Sequence, residues 1–272
     1  MLPLWRDRIG VEISPQRVAW VRVARGWRAN VIAKGCEHVS PQPNEPLWME
    51  ALAKVERLMR SEEWKRAEVT VVLSNHFVRY DCLPWNSAVS DEEERIALAH
   101  HRLAQIYGAG AQDWGVRISP AGKNASRLVA STDTVLLEKL RRIATEADCK
   151  LHSIQPYLMT GFNRFAKGGF ENEGWFVAAE KGRFALALFR AGQWQRIQLR
   201  RGAGIASLQE WLERENLAGG EAFSREVYLF GPELEREAMM PSYNLHRLEL
   251  PACRGYSPLT DMQYSMAMSG VA

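Results

Sequence analysis

Hydrophobic and polar positions near the start of the chain alternate in a pattern typical of antiparallel strands. Residues 11–23 are predicted to form two short strands around a turn at Ser14-Pro15-Gln16, and residues 27–33 a third strand. An amphipathic helix follows at residues 47–60. Residues 69–73 form a continuous apolar run, as expected for a strand that is covered on both faces. This order of elements indicates an α/β architecture.

The rest of the chain contains the same two kinds of pattern. In the middle, strands are predicted at residues 77–83, 114–118, 127–131 and 151–154, and helices from a Ser90–Glu93 capping box to Tyr107, at residues 134–147 and at residues 156–165. In the last third, strands are predicted at residues 175–179, 184–189, 194–199, 225–230 and 246–250, and helices at residues 205–215, 233–239 and 259–268.

Two segments of the chain resemble each other. Glu12 and Glu180 each precede a turn and an apolar strand. Each segment then continues to a tryptophan that is followed, eight positions later, by a glycine: Trp27 to Gly35 and Trp194 to Gly202. The pattern predicts two related halves that each open with a three-stranded meander, and the alternative is a coincidence between ordinary hairpins.

Composition excludes several classes of protein. The 272 residues are 46% hydrophobic and 25% charged, which excludes a collagen-like or largely disordered chain. The formal charge of +3, from 35 basic and 32 acidic residues, does not favour a nucleic-acid partner. No run approaches the ~20 apolar residues of a membrane span, and the start lacks the apolar core of a signal peptide.

Cysteine and histidine spacing predicts neither a disulfide framework nor a metal site. The four cysteines lie far apart without a C-x-x-C pair, which is typical of reduced thiols in a cytoplasmic protein. His100 and His101 are adjacent on a predicted helix and therefore point to different faces, and the sequence has no H-E-x-x-H motif.

Several stretches carry a resemblance to a known family: IGVEISPQRVAWVRV, VTVVLS followed by RYDCLPW, GWFVAAEKGRFALALFRAGQWQRIQLRRG, VYLFGPELE and DMQYSMAMSGVA. In these stretches the chain resembles the family of PilM and the cytoplasmic domain of GspL, actin-like ATPase-fold proteins of type IV pilus and type II secretion assembly. The resemblance implies duplicated RNase H-like halves with a small α/β module inserted in the first. The implied boundaries are residues 1–76 for the first part of domain I, 77–155 for the module and 156–272 for domain II.

The resemblance also implies where a nucleotide would bind. Active members of the fold hold ATP and Mg²⁺ between the halves, and an Asp-x-Gly turn from each half approaches the phosphates. The matching positions here are Glu12 and Ser14 in the first turn, Glu180 and Gly182 in the second, and Gly231 in the adenosine loop.

Both turns depart from that pattern. Glutamate replaces aspartate in both turns, serine replaces glycine in the first, and Pro15 has no N–H to donate. Phe184 is expected beside the phosphate path, whereas Lys181 and Arg183 could attract phosphate. We therefore expect no required cofactor and at most weak affinity for ATP and Mg²⁺. The catalytic residues stay unassigned.

The function implied by the resemblance is that of a cytoplasmic scaffold with little or no catalysis. It would serve a pilus or secretion platform, dock the cytoplasmic tail of a single-span inner-membrane protein, and lie at the membrane through that partner. Other platform proteins and a second copy of the chain are further candidate partners. Trp85, at the edge of the module, is the candidate partner-binding residue, because tryptophan is enriched at binding hot spots. The alternatives are an active ATPase or kinase of the same fold and an adaptor without a pilus context.

Overall fold

A computed structural model describes residues 6–26, 28–89, 91–122, 124–166, 170, 173–218, 224–237 and 239–271. The strands are β1 (Arg8–Ile13), β2 (Arg17–Val23), β3 (Val31–His38), β4 (Glu68–Leu73), β5 (Val78–Leu83), β6 (Trp114–Ile118), β7 (Arg127–Asp133), β8 (Lys150–Pro156), β9 (Glu173–Glu180), β10 (Arg183–Arg190), β11 (Gln193–Arg201), β12 (Glu226–Phe230) and β13 (Asn244–Arg247). The helices are α1 (Met49–Met59), α2 (Glu92–Tyr107), α3 (Thr134–Glu146), α4 (Tyr157–Phe165), α5 (Gly204–Ala218) and α6 (Ser265–Ser269).

The first sheet has the strand order β3-β2-β1-β4-β8. Its first three strands form an antiparallel meander, and β4 and β8 then continue parallel to β1. The apolar run at the end of β4 is buried on both faces, as its sequence predicts.

The second sheet repeats this topology. Its order is β11-β10-β9-β12-β13, again with an antiparallel meander followed by two strands parallel to the first. The identical order and directions of the two sheets confirm the predicted pair of related halves. Trp27, part of the internal similarity, lies outside the described residues.

A small α/β module is inserted between β4 and α3 of the first half. Its three-stranded antiparallel sheet has the order β5-β7-β6 and packs against α2. The N-cap of α2 is Asp91, whose carboxylate accepts a hydrogen bond from the N–H of Glu94 at 2.8 Å. Ser90, the cap that the sequence predicts, lies outside the described residues.

Contacts divide the chain into two compact units. Unit 1 comprises the described residues of Met1–Phe77, Val135–Arg164 and Glu249–Ala272, and unit 2 those of Val78–Thr134 and Phe165–Leu248. The predicted module segment 77–155 therefore contributes to both units, because β8 pairs with β4 in the first sheet. Residues 249–271 lie in unit 1 because α6 packs on β1. The predicted division into residues 1–76, 77–155 and 156–272 stays a prediction.

Two predicted helices differ from the structure. The described part of residues 233–239 forms turns, one of which is closed by a hydrogen bond from the N–H of Leu234 to the carbonyl of Gly231 at 3.0 Å. At the end of the chain, the α-helix begins only at Ser265. The preceding turn is fixed by Asp261, whose carboxylate binds the ammonium group of Lys34 at 2.6 Å.

Candidate functional site

The β1–β2 hairpin carries two of the predicted nucleotide-contacting residues, Glu12 and Ser14. Glu12 lies near the end of β1, opposite Ala19 of β2. The backbone N–H and the hydroxyl of Ser14 both donate to the carbonyl of Arg17, each at 3.0 Å. The same hydroxyl accepts a hydrogen bond from the N–H of Arg17 at 3.2 Å. The hydrogen-bond donors of Ser14 and the N–H of Arg17 are therefore all used within the turn.

Glu12 is buried and paired with an arginine across the turn. Its side chain is 1% exposed. Its Oε1 accepts from Nε of Arg17 at 2.7 Å and its Oε2 from Nη2 at 3.1 Å. Because Glu12 pairs with Ala19, Arg17 lies two residues along β2 on the same face, in the diagonal position. The result is a bidentate, charge-assisted ion pair, which is among the stronger side-chain contacts in proteins.

The β9–β10 hairpin carries Glu180 and Gly182. Glu180 ends β9 and pairs with Arg183 at the start of β10. Gly182 is exposed with φ +77, and a Cβ added there would meet no heavy atom within 4 Å. The turn therefore requires glycine for its conformation and has open space beside it. Burial, followed by the nearby charge of Arg79, lowers the pKa of the Arg183 guanidinium.

Phe184, the second residue after Gly182, faces inward from β10. Its side chain is completely buried in the core of unit 2, together with Leu186 and Leu208. The ring is also close to the backbone directly after β11, since a Cβ added at Gly202 would lie 2.9 Å from its Cε2. Its apolar ring packs on the inward side of β10, and its position relative to a phosphate path stays a prediction.

Gly231 lies directly after β12 in a tightly packed position. A Cβ added to it would lie 2.9 Å from Cβ of Ala179 and 3.0 Å from Cδ1 of Leu234. The backbone therefore passes too close to β9 for any larger residue. Close packing is therefore sufficient to explain why glycine occupies this position, and a bound ligand is not needed to explain it.

Trp85 follows β5 and lines a pocket in the module. Its side chain is 53% exposed, and the pocket has a volume of about 240 Å³. The apolar lining comes from the end of β5, the start of α2 and the loop before β7: Leu83, Pro84, Val89, Leu98 and Ala125. The loop that holds Trp85 is ordered by Asn86, whose carboxamide oxygen accepts from the N–H of Ala88 at 2.9 Å.

Two arginines supply the charge of this pocket. Arg95 lies one helical turn before Leu98 on α2, and Arg127 begins β7. Nη1 of Arg127 donates to the carbonyl of Ser119 at 3.4 Å, which holds the side chain along the module. The lining contains no acidic side chain among the described residues. The pocket lining therefore contains apolar side chains and two arginines.

Comparisons with known proteins identify the fold. Neither a protein-family model nor a curated protein matches the sequence. Among solved structures, the PilM–PilN type IV pilus biogenesis complex contains a similar chain, with 14% identity, a TM-score of 0.66 and 97% of each chain covered. The cytoplasmic domain of EpsL, an inner-membrane component of the type II secretion system of Vibrio cholerae, gives 12% identity and a TM-score of 0.58, with 90% of each chain covered.

The description of a third similar structure names its fold. It is a Bacteroides thetaiotaomicron protein with an actin-like ATPase fold and unknown function, with 10% identity, a TM-score of 0.57, and 98% of this chain and 92% of that chain covered. The chain has the actin-like ATPase fold. The resemblance to pilus and secretion proteins of this fold, which the sequence predicts, is confirmed at the level of structure.

The first hairpin does not fit the nucleotide chemistry of the actin-like fold. A phosphate-binding turn needs backbone N–H groups that are directed at the ligand, and a metal site needs an available carboxylate. Here the N–H groups of Ser14 and Arg17 are used within the turn, and Pro15 has none. Both oxygens of Glu12 accept from Arg17. For Mg²⁺ to bind there, the guanidinium of Arg17 would have to leave the buried carboxylate of Glu12.

Other chemistry is not supported by the described residues. They contain no cluster of three or more His, Cys, Asp or Glu side chains that could hold a metal ion. The cysteines are free thiols, and burial raises the pKa of Cys82 and Cys149. Within the described ranges no helix is long and apolar enough to cross a membrane.

Sequence reasoning overlooked the most decisive residue of the first hairpin, Arg17. The signal was present, because opposite charges at Glu12 and Arg17 flank a short turn and strand alternation places both on one face. Arg95 and Arg127 were overlooked for a different reason. They come from α2 and β7, which only the tertiary structure brings to the same pocket as Trp85.

Proposed function

We propose that the chain is a non-catalytic or weakly nucleotide-binding scaffold of a pilus or secretion assembly at the bacterial inner membrane. It lies on the cytoplasmic side and is held at the membrane by a single-span protein whose cytoplasmic tail it docks. Two similar structures support this role: one comes from a complex of PilM with PilN, and the other is the cytoplasmic domain of an inner-membrane secretion component. Contacts with other platform proteins or with a second copy of the chain are compatible with the same role.

The observation that carries the non-catalytic part of the proposal is the ion pair between the buried carboxylate of Glu12 and the guanidinium of Arg17. In an active member of the fold, the carboxylate at this position orients metal-bound water. A carboxylate that is 1% exposed and accepts two hydrogen bonds from a guanidinium cannot do this without breaking that pair. The proposed vestigial contacts are then Glu12, Ser14, Glu180, Gly182 and Gly231, of which the exposed turn at Gly182 retains the most open geometry.

Mg-ATP is expected to leave the thermal unfolding midpoint of the purified chain unchanged. A ligand at 100 times its dissociation constant would add about 2.7 kcal/mol to the stability, which is several degrees for a chain of this size. Differential scanning fluorimetry with millimolar Mg-ATP, and with ATP and EDTA as the metal-free control, measures the shift. A rise of several degrees that needs Mg²⁺ and is lost in Glu180→Ala would contradict the proposal.

The second candidate is an active ATPase or kinase of the same fold. The observation that favours it is the β9–β10 hairpin, where Lys181 and Arg183 flank the exposed Gly182 and could attract phosphate. Phosphate release that depends on Mg²⁺ and on Glu180 would support this candidate. A chain that shows neither a thermal shift nor phosphate release supports the scaffold.

Trp85→Ala is expected to reduce the recovery of the membrane partner at least tenfold, which corresponds to about 1.4 kcal/mol of binding free energy. Tryptophan is enriched at binding hot spots, and this one is 53% exposed and lines a pocket together with apolar side chains. The measurement is co-purification of a single-span protein with the tagged chain from detergent-solubilised membranes. The matched control is Leu217→Ala, which removes an apolar side chain that is 85% exposed in the same unit but outside the pocket. Equal losses in both variants would refute a docking role for Trp85.

A further inference from the structure

The sheet of the inserted module has an open edge at β6. This strand lies at the end of the order β5-β7-β6, and its only strand partner in the described part of the chain is β7. We propose that the open side of β6 pairs with β6 of a second copy of the chain, so that the two module sheets join into one antiparallel sheet. This inference concerns the module alone and is independent of the membrane partner proposed above.

The backbone groups on the open side of β6 follow from its pairing with β7. The N–H of Ser119, directly after β6, donates to the carbonyl of Leu128 at 2.8 Å. Because bonded pairs recur at every second residue of an antiparallel ladder, Trp114, Val116 and Ile118 direct their backbone groups away from β7. The N–H of Trp114 closes the preceding turn. Among the described residues, the outward backbone groups of Val116 and Ile118 form no hydrogen bond.

The side chains of the same three residues form an apolar surface that the module covers only in part. Trp114, Val116 and Ile118 pack against the buried core of the module, yet each of them is only half-buried. The apolar surface continues at the end of α2, where Ile106 is 54% exposed and the ring of Tyr107 lies 5.6 Å from that of Trp114. A neighbouring strand at this edge would therefore cover apolar surface and also satisfy backbone groups.

The sequence of β6 is complementary to itself in one register. A two-fold axis through Val116 places the two copies of Val116 opposite each other, and Trp114 opposite Ile118 of the second copy. The outward groups then form two hydrogen bonds between the valines and one at each tryptophan–isoleucine pair. An aromatic ring beside a β-branched side chain is a favourable cross-strand pair. On the other face, Arg117 lies opposite Gly115 of the second copy, so no like charges are directly opposed.

The neighbouring symmetric registers are less favourable. An axis through Arg117 would place the two guanidinium groups directly opposite each other, and like charges in that position destabilise a sheet. An axis through Gly115 would pair Trp114 with Val116 of the second copy, and fewer hydrogen bonds would form because the N–H of Trp114 is already bonded. The register through Val116 is therefore the one in which both backbone and side chains match.

The size of the contact sets its expected strength. β6 has 5 residues, and a strand of that length spans about 17 Å. A stable interface usually buries about 800 Å² on each partner, which a single pair of short strands does not reach. We therefore expect a weak dimer that forms at high concentration, or where the chain is concentrated at a membrane.

Sedimentation velocity of the purified full chain, from micromolar to near-millimolar concentration, tests the dimer. Val116→Pro removes the central outward N–H, and because that N–H does not bond to β7, the ladder within the module is kept. Val116→Ala keeps the N–H and is the matched control. We expect the wild type and Val116→Ala to shift from monomer to dimer, and Val116→Pro to dimerise at least tenfold more weakly. A wild type that stays monomeric throughout, or a folded Val116→Pro that dimerises equally well, would overturn the inference.

Cysteine cross-linking measures the register and does not depend on the proline variant. In a Cys36→Ser background, which removes the exposed native thiol, Val116→Cys places two thiols opposite each other. Their Cα atoms would lie about 5.5 Å apart, within the range of a disulfide. Ile118→Cys would separate the two thiols by more than about 13 Å along the strands. We expect copper phenanthroline to convert Val116→Cys, but not Ile118→Cys, into a covalent dimer. Equal cross-linking of the two variants, or none in either, would overturn the inference.

These outcomes separate the inference from the proposed function. The dimer is measured on the purified chain without a partner, and Val116→Pro should still recover a single-span protein from membranes. A chain that dimerises through β6 but recovers no such protein would contradict the proposed function alone. A chain that stays monomeric and recovers one would contradict the inference alone.

Discussion

Arg17→Met is expected to lower the free energy of unfolding by about 3–5 kcal/mol, because it removes the guanidinium from which both oxygens of the buried Glu12 carboxylate accept hydrogen bonds. The wild-type carboxylate is 1% exposed and accepts from both Nε and Nη2 of Arg17. Methionine keeps most of the apolar stem of arginine. The loss of stability is therefore due mainly to the missing guanidinium charge. Urea denaturation of the wild type and the variant, followed by circular dichroism, measures the difference.

Two further variants make this measurement specific. Combining Arg17→Met with Glu12→Gln removes both charges and should recover most of the lost stability, because no buried charge is left unpaired. Arg214→Met breaks an exposed pair with Glu210 on α5, in which the two side chains are 60% and 61% exposed, and should cost no more than about 0.5 kcal/mol. If Arg17→Met costs as little as Arg214→Met, the first hairpin is open in solution and the argument against a metal there fails.

Much of the fold could be predicted from the sequence because the two meanders have strong local signals. In β10 the positions from Phe184 to Phe189 are all buried, and its apolar run is bounded on both sides by glycine turns at Gly182 and Gly192. Such segments are determined mainly by their own composition and by the turns next to them. Because the two halves are similar, the strand order of one sheet predicts the strand order of the other.

The parts that could not be predicted depend on contacts between residues distant in the sequence. Lys34 and Asp261 are paired although most of the chain separates them, and this pair fixes the turn before α6. The periodicity of residues 259–268 is compatible with a longer helix, but Asp261 also accepts from the N–H of Ser257 at 2.9 Å, which favours a turn. Local patterns contain no information about such a partner.

The candidate site also has one part that the sequence predicts and one part that it does not. The positions Glu12, Glu180 and Gly231 follow from the resemblance to actin-like proteins, and the structure places each of them at a hairpin or strand end. Whether a carboxylate at such a position is available to a metal depends on the side chain across the turn. For Glu12 that side chain is Arg17. The charge pattern and strand alternation place it on the same face, but its rotamer and the burial of the carboxylate, which make the pair bidentate, are known only from the structure.

Gly10→Ala is expected to lower the free energy of unfolding by about 3 kcal/mol, because the added Cβ would clash with α6. The variant therefore tests how closely α6 approaches β1, the strand that leads into the first hairpin. A Cβ at Gly10 would lie 2.1 Å from the carbonyl oxygen and 3.0 Å from the carbonyl carbon of Ala267. Both are backbone atoms, so neither can move aside without shifting α6 from β1. The measurements are urea denaturation and limited proteolysis after residue 249, which should become faster as α6 is displaced. Gly26→Ala is the matched control in the same unit, since the nearest atom to an added Cβ lies 3.7 Å away, and it should be nearly neutral. Equal stability of the two variants would show that α6 does not pack against β1 in solution, and that residues 249–271 fold independently of the first sheet.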